Sequence, residues 1–162
     1  RLAALTSLCA TLDNCLAERE ALPQLFSDTL HLIHDLERDA FAARYVEWEL
    51  GLLGELGFGL DLTSCAATGV TDDLIYVSPR SGQAVARDAG APYRDKLLKL
   101  PEFLIGGTEP SSANILDGLR LTGYFLDRYV FQPQDRRLPD ARERFINLMR
   151  HVYEKNLPDF GC

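Results

Sequence analysis

Apolar residues recur at spacings of three and four through the first sixty positions, which is the pattern of amphipathic helices. Three such stretches follow one another, at about 2–16, 22–36 and 41–56. Pro23 fits the second stretch because the first helical turn has no partner for the missing N–H. Gly57 supplies the left-handed residue that commonly ends a helix. Short polar links between the three helices predict a bundle. Its first two core faces are expected to be Leu2, Leu5, Leu8, Cys9, Leu12, Cys15 and Leu16, then Leu22, Leu25, Phe26, Leu30, Ile33 and Leu36.

The helical periodicity stops between Gly57 and Gly90, where glycines recur along the chain. The β-branched and aromatic run Leu74–Val77 predicts a strand, residues 78–82 a turn, and residues 83–86 a weaker return strand. Such an isolated hairpin is marginal in water, so it must lean on the helices or be fastened at its base.

Helical periodicity resumes after Pro92, first in a short piece that carries Tyr93, Leu97 and Leu98. A longer helix follows, with Ser111 or Ser112 as its N-cap. Its apolar stripe is expected to be Ile115, Leu116, Leu119, Thr122, Leu126 and Tyr129. A polar link over 131–138 precedes a last helix that starts near Pro139 and carries Phe145, Leu148, Met149 and Val152. The sequence therefore predicts one mainly α domain, a helical bundle with a small inserted β-hairpin.

Charge is unevenly distributed in this 162-residue chain of net charge −7. Residues 1–61 hold four basic and eleven acidic side chains, whereas residues 120–155 hold eight basic and five acidic ones. Nucleic-acid affinity depends chiefly on Lys and Arg at phosphates, so the first segment should repel DNA and only the C-terminal third could assist binding.

The length of the apolar runs indicates where the protein resides, and the start of the chain indicates whether it is part of a longer protein. No run is long enough for a membrane span and no signal segment is present, so a soluble cytoplasmic protein with no membrane partner is expected. The chain starts at Arg1, inside an apolar periodic stretch, which suggests a piece of a longer protein.

Candidate catalytic groups are few. His31 and His34 lie three apart on the second helix, but they have no companion cysteine, so solvated or helix-capping histidines are favoured over a metal site. The four cysteines, Cys9, Cys15, Cys65 and Cys162, form no CxxC pair. Because nucleophile elbows, phosphate loops and HExxH motifs are also absent, we expect no enzyme.

Several motifs together resemble the RecO family. They are the segment WELGLLGELGFGLD at 48–61, Cys65 soon after it, the hairpin YVSPRSGQAVARDAG at 76–90 and LPDARERF at 138–145. The hairpin is most similar to that of alphaproteobacterial members. The resemblance covers essentially the whole chain, with 61–90 as the hairpin insertion.

The resemblance implies a domain order and a role. Members have an N-terminal oligonucleotide-binding barrel, absent here, followed by a helical domain. They are non-catalytic mediators at the bacterial nucleoid that bind DNA mainly through the barrel, anneal strands, work with RecR, and help load RecA onto DNA coated by single-stranded-DNA-binding protein. The alternative is a helical protein-interaction module with no nucleic-acid role, which the acidic total would suit.

One departure from the family concerns zinc. Many members place two CxxC pairs at the hairpin, but here those positions read Cys65–Ala66–Ala67–Thr68 and Ala86–Arg87–Asp88–Ala89. A single thiol cannot hold structural zinc, so we expect no cofactor and a degenerate zinc-finger-like element. Apolar contacts of Leu74, Tyr76 and Val85 would then hold the hairpin.

The resemblance also suggests two partner sites. One is a DNA or RecR contact through basic residues near the last helix, for which an ordinary solvated face is the alternative. Its candidates are Arg136, Arg137, Arg142, Arg144, Arg150 and Lys155. The other is a pocket for the acidic, Phe-ending tail of single-stranded-DNA-binding protein, which needs an apolar slot and a cation. Its candidates are Arg38, Arg44, Trp48 and Leu52. Trp48 and Tyr45 would also suit an aromatic platform for bases, but their spacing fits core packing, which is the favoured interpretation.

Overall fold

The computed structural model describes residues 1–17, 21–38, 40–107 and 109–155, so Cys162 lies outside the described residues. Six α-helices occur in these ranges: α1 (Leu2–Cys15), α2 (Pro23–His34), α3 (Phe41–Glu55), the single turn α4 (Arg87–Gly90), α5 (Ser112–Phe125) and α6 (Asp140–Lys155). Three short strands accompany them: β1 (Leu74–Val77), β2 (Ala84–Ala86) and β3 (Leu98–Lys99). The mainly α fold with a small β element is confirmed. None of the helices described is both long and apolar enough to span a membrane.

Local signals account for the helix ends. Pro23 occupies the first turn of α2. Gly57, with φ of 84°, ends α3 in a Schellman motif, in which Phe58 N–H donates to Leu53 O at 2.8 Å and Gly57 N–H to Gly54 O at 3.0 Å. The hydroxyl of Ser111 accepts from Asn114 N–H at 3.2 Å and caps α5.

Helix α3 lies at the centre of the bundle. It packs on α2 and on α5, while α1 packs mainly on α6. Tyr45, Leu52 and Leu53 of α3 are fully buried, and Phe125 and Phe131 complete the interior from the α5 side. The predicted bundle of the first three helices is thus extended by α5 and α6 around a single core.

The small sheet has the antiparallel strand order β2-β1-β3. Strands β1 and β2 and the turn between them lie where the sequence predicted the hairpin. Strand β3 was missed, because the short piece predicted as helical is a 3₁₀ helix (Ala91–Lys96) followed by this two-residue strand. Val77 pairs with Ala84 on one side and with Leu98 on the other.

Backbone hydrogen bonds fasten the base of the sheet to the loop that follows α3. Asp61 N–H donates to Gly82 O at 3.1 Å, and Asp61 O accepts from Ala84 N–H at 2.8 Å. Ala66 N–H donates to Ala84 O at 2.8 Å. Leu74 and Val85 are buried and Tyr76 packs against the core, as predicted for a hairpin held by apolar contacts. The hydrogen-bonded loop is an additional support.

Some predicted core positions are exposed instead. Leu2 of α1 is 78% exposed and Phe26 of α2 is 66% exposed; Cys9, Leu30, Ile33, Leu148 and Val152 are also exposed. On α1, the buried face includes the small polar residues Ser7 and Thr11 in place of Leu2 and Cys9. The link predicted to be polar starts with buried Phe131, at the end of a π-helical turn (Leu126–Phe131) that continues α5.

Candidate partner and nucleic-acid interface

Arg142 does not belong to the exposed cations of the last helix. Its side chain is 4% exposed and forms a two-pronged ion pair with fully buried Glu49 of α3: Nε donates to Oε1 at 2.6 Å and Nη2 to Oε2 at 2.8 Å. Nη2 also donates to Leu119 O at 2.8 Å. The prediction of Arg142 as a DNA or RecR contact is corrected, since its guanidinium is engaged inside the bundle.

Neighbouring residues accommodate and stabilise this buried ion pair. The Thr122 hydroxyl donates to Glu49 Oε2 at 2.5 Å. A Cβ at position 123 would lie 2.6 Å from Arg142 Nη1, so Gly123 leaves the space that the guanidinium fills. Burial alone would lower the pKa of Arg142, but the charge and hydrogen bonds of Glu49 outweigh it and hold this pKa above its ordinary value. The pair is a buried structural unit.

The charged pair also affects neighbouring groups. Tyr45 Oη lies 2.7 Å from Ser7 Oγ, and burial together with Glu49 raises the pKa of this phenol. Burial, and then Glu49, raises the pKa of the Cys15 thiol to about 12. Both groups therefore stay neutral at physiological pH.

The other predicted cations of the C-terminal third reach the surface. Arg137, Arg144, Arg150 and Lys155 are exposed. Arg136 is exposed but anchored to α1, because Nη1 donates to Asn14 O at 3.0 Å and Nη2 donates to Asn14 Oδ1. These five residues are accessible to a partner.

The residues predicted for the acidic-tail pocket are divided between core and surface. Trp48 and Leu52 are buried, and Trp48 Nε1 donates to Thr29 Oγ1 at 2.9 Å. Arg38 and Arg44 are exposed, but both bind Asp35, with Nε–O distances of 3.0 and 3.2 Å. The placement of a slot at Trp48 and Leu52 is corrected because neither side chain reaches solvent. The interpretation of Trp48 and Tyr45 as core residues is confirmed.

A groove between α5 and α6 has the chemistry that the tail pocket requires. It encloses about 750 Å³. Arg120 of α5 and Arg150 of α6 are exposed at its sides, and its apolar wall consists of Leu98, Leu116, Leu119, Tyr124, Leu138 and Ile146. Its two carboxylates are engaged, since Asp117 lies 3.2 Å from Lys99 Nζ and Asp127 accepts from Gln132 Nε2 at 2.6 Å. Sequence reasoning missed Arg120, whose position on the outer face of α5 resembles that of any solvated residue.

Cys65 lies at the base of the hairpin, where the family resemblance implied one retained zinc ligand. It is buried, and its sulfur accepts from Ala86 N–H at 3.3 Å. Burial would raise the pKa of the thiol, but hydrogen bonds from Ala86, Thr68 and Ala67 outweigh it and lower this pKa from 9.0 to about 7. Within the described ranges, no group of three or more His, Cys, Asp or Glu side chains could hold a metal ion.

Comparison with known proteins identifies the family. The family described as "Recombination protein O C terminal" matches residues 1–138. DNA repair protein RecO of Rhodospirillum centenum is 52% identical over 155 residues, which cover 94% of this chain and 62% of the relative. The Rhodospirillum rubrum protein is 48% identical over 158 residues, which cover 93% of this chain and 63% of the relative. The Caulobacter vibrioides NA1000 protein is 51% identical over 145 residues, which cover 87% of this chain and 59% of the relative. The chain thus spans about three fifths of the length of these relatives. It belongs to the RecO C-terminal family, as its motifs at 48–61 and 76–90 suggested.

Proposed function

We propose that this helical domain is the partner-binding part of a non-catalytic mediator of DNA repair and recombination. In this role the whole protein binds DNA, anneals complementary strands, and works with RecR to load RecA onto DNA coated by single-stranded-DNA-binding protein. The domain contributes by scaffolding, with no bond chemistry of its own. Membership of the RecO family supports the proposal, and the relatives carry the name DNA repair protein.

The observation that carries the partner role is the α5–α6 groove. An acidic peptide that ends in Phe presents an apolar ring, a terminal carboxylate and further negative charges. The leucines and Ile146 of the groove can receive the ring, while Arg120 and Arg150 face the carboxylates. The tail of single-stranded-DNA-binding protein has this chemistry, so we place it in this groove rather than beside Arg38 and Arg44.

A peptide-binding comparison tests the placement. A fluorescein-labelled acidic peptide ending in Phe is titrated with the chain at low salt, and its polarisation is measured. Ion pairs of exposed arginines contribute up to about 1 kcal/mol each, so Arg120→Gln with Arg150→Gln should weaken binding by about tenfold. The matched control, Arg38→Gln with Arg44→Gln, removes equal charge and should leave the affinity nearly unchanged. The reverse result, or no binding by the unaltered chain, would contradict this placement.

The exposed cations Arg136, Arg137, Arg144, Arg150 and Lys155 are the proposed auxiliary contact for RecR or DNA. Their location on α6 and the preceding link, outside the buried pair, supports this role. A rival function, a protein-interaction module without nucleic-acid binding, is favoured by the net charge of −7 and by the acidic first 61 residues. Binding of the tail peptide without any nucleic-acid affinity in the chain and its longer form would favour the rival.

A further inference from the structure

A second cleft adjoins the α5–α6 groove, with which it shares Arg120 and Tyr124, and lies between the small sheet, the 3₁₀ helix (Ala91–Lys96) and α5. It encloses about 620 Å³. Four cations line it: Arg94 and Lys96 from the 3₁₀ helix, Lys99 from β3 and Arg120 from α5. Three of these cations lie within residues 94–99, and the fold brings Arg120 of α5 to them. We name this cavity the sheet cleft.

The electrostatics of the sheet cleft oppose those of the chain as a whole. Its lining contains the four cations and only two carboxylates, those of Asp95 and Asp117, in a protein of net charge −7. Asp117 lies 3.2 Å from Lys99 Nζ, and Asp95 lies 3.9 Å from Arg94 Nε. Each carboxylate is thus matched by one cation, which leaves an excess of two positive charges in the cleft. A concave basic surface of this kind concentrates anions.

Two tyrosine rings form part of the wall and are held by their neighbours. Tyr76 of β1 packs so closely on Gly90 that a Cβ there would lie 2.5 Å from its ring. Tyr124 of α5 stands edge-on against Phe125, with ring centroids 5.3 Å apart and an angle of 83°. Both side chains are only partly buried. Fixed, accessible rings beside cations provide the stacking surfaces that unpaired bases use.

We propose that the sheet cleft binds single-stranded nucleic acid, with Arg94, Lys96 and Arg120 at the phosphates and a base stacked on Tyr124. The inference rests on the proposed function and adds to it a nucleic-acid site within the helical domain itself. A single strand fits better than a duplex, because the rings contribute only where bases are unstacked. An acidic peptide would use the same cations, but its Phe would pack on the leucines and Ile146 of the α5–α6 groove rather than on Tyr76.

The test measures binding of fluorescein-labelled oligodeoxythymidylate to the chain across a salt series. Arg94→Gln with Lys96→Gln should weaken binding and reduce the slope of log affinity against log salt by about 0.7 for each phosphate that is no longer neutralised. Tyr124→Leu should weaken binding by about tenfold, whereas Tyr124→Phe, which keeps the ring, should bind like the original. The charge-matched control is Arg38→Gln with Arg44→Gln, near the start of α3 and outside the lining of the cleft. Circular dichroism and Tm verify the fold of each variant.

The outcomes separate this site from the proposed function. Weaker binding in the Arg94/Lys96 pair and in Tyr124→Leu, with little change in the control pair, supports the sheet cleft. Weaker binding only in the control pair overturns the cleft while leaving the proposed function intact. Absence of oligonucleotide binding by the chain also overturns the proposed cleft site. The peptide titration then tests the partner role separately. If the Arg94/Lys96 pair instead weakens binding of the acidic peptide, the cleft is a peptide site and the proposal is wrong.

Discussion

The bundle and the small sheet are held together by different means. Across the bundle, Glu49 of α3 and Arg142 of α6 are paired inside a core of large apolar side chains, with Thr122 and the carbonyl of Leu119 completing their hydrogen bonds. At the sheet, backbone groups of the loop around Asp61 and Ala66 bond to the hairpin, and the Cys65 sulfur accepts from Ala86 N–H.

This difference shows where single substitutions should matter. A buried ion pair is costly to break, because removing one partner leaves the other charge unpaired in a poorly polar interior. The sheet base distributes its support over several backbone hydrogen bonds, which side-chain changes leave in place. We therefore expect the bundle to depend strongly on one pair and the sheet to depend weakly on any one side chain.

The largest expected effect comes from Glu49→Gln. This change leaves Arg142 charged and buried without its carboxylate, so the free energy of unfolding should fall by about 3–5 kcal/mol. The double variant Glu49→Leu with Arg142→Met removes both charges and should recover much of that stability. Urea unfolding followed by circular dichroism measures both changes.

A control for the buried pair is the ion cluster on the bundle surface. Asp35 pairs with Arg38 and Arg44, whose side chains are 64% and 55% exposed. Because solvent screens these arginines, Asp35→Asn should cost about 1 kcal/mol or less. Equal destabilisation by Asp35→Asn and Glu49→Gln would show that burial does not distinguish the two clusters.

The elements that the sequence predicted well are those with strong local signals. The Schellman end of α3 at Gly57, the Ser111 cap and the β-branched run Leu74–Val77 each determine structure within a few residues. Strand β3 has only two residues and owes its conformation to pairing with β1. No local sequence pattern predicts this pairing. Burial of Ser7 likewise depends on its distant partner Tyr45.

The candidate site was less predictable for the same reason. Arg142 and Arg150 are eight residues apart and share the periodicity of one helix, yet one pairs with Glu49 and the other is exposed. Only the fold brings position 49 next to position 142. The basic residues of the sheet cleft, Arg94 and Lys96, were overlooked because they lie in a short segment of mixed charge. The fold places both beside Arg120 of α5 in the lining of the cleft.

A smaller effect is expected at the sheet base. Cys65→Ala removes the hydrogen bonds that the sulfur accepts but leaves the backbone bonds of the loop. Because sulfur is a weak acceptor, the cost should be about 1 kcal/mol at neutral pH. Because the pKa of Cys65 is lowered on folding to about 7, the stabilisation from its thiolate is fully present above 9.0 and is lost as pH falls through 7. The difference in unfolding free energy between the original chain and Cys65→Ala should therefore grow from pH 7 to pH 9. A difference that shrinks over this range would contradict the pKa shift.

The smallest expected effect is that of metal removal. Structural zinc requires about four converging ligands, and its removal unfolds domains that depend on it. At the base of this hairpin Cys65 stands at the one retained position, with Ala86 and Ala89 where the second pair of thiols would lie. Incubation with a chelator should therefore leave the Tm of the chain unchanged, and elemental analysis of purified protein should find no stoichiometric zinc. Tightly bound zinc in a one-to-one ratio, or a fall of Tm on chelation, would mean that the sheet base is fastened by metal rather than by the loop around Asp61.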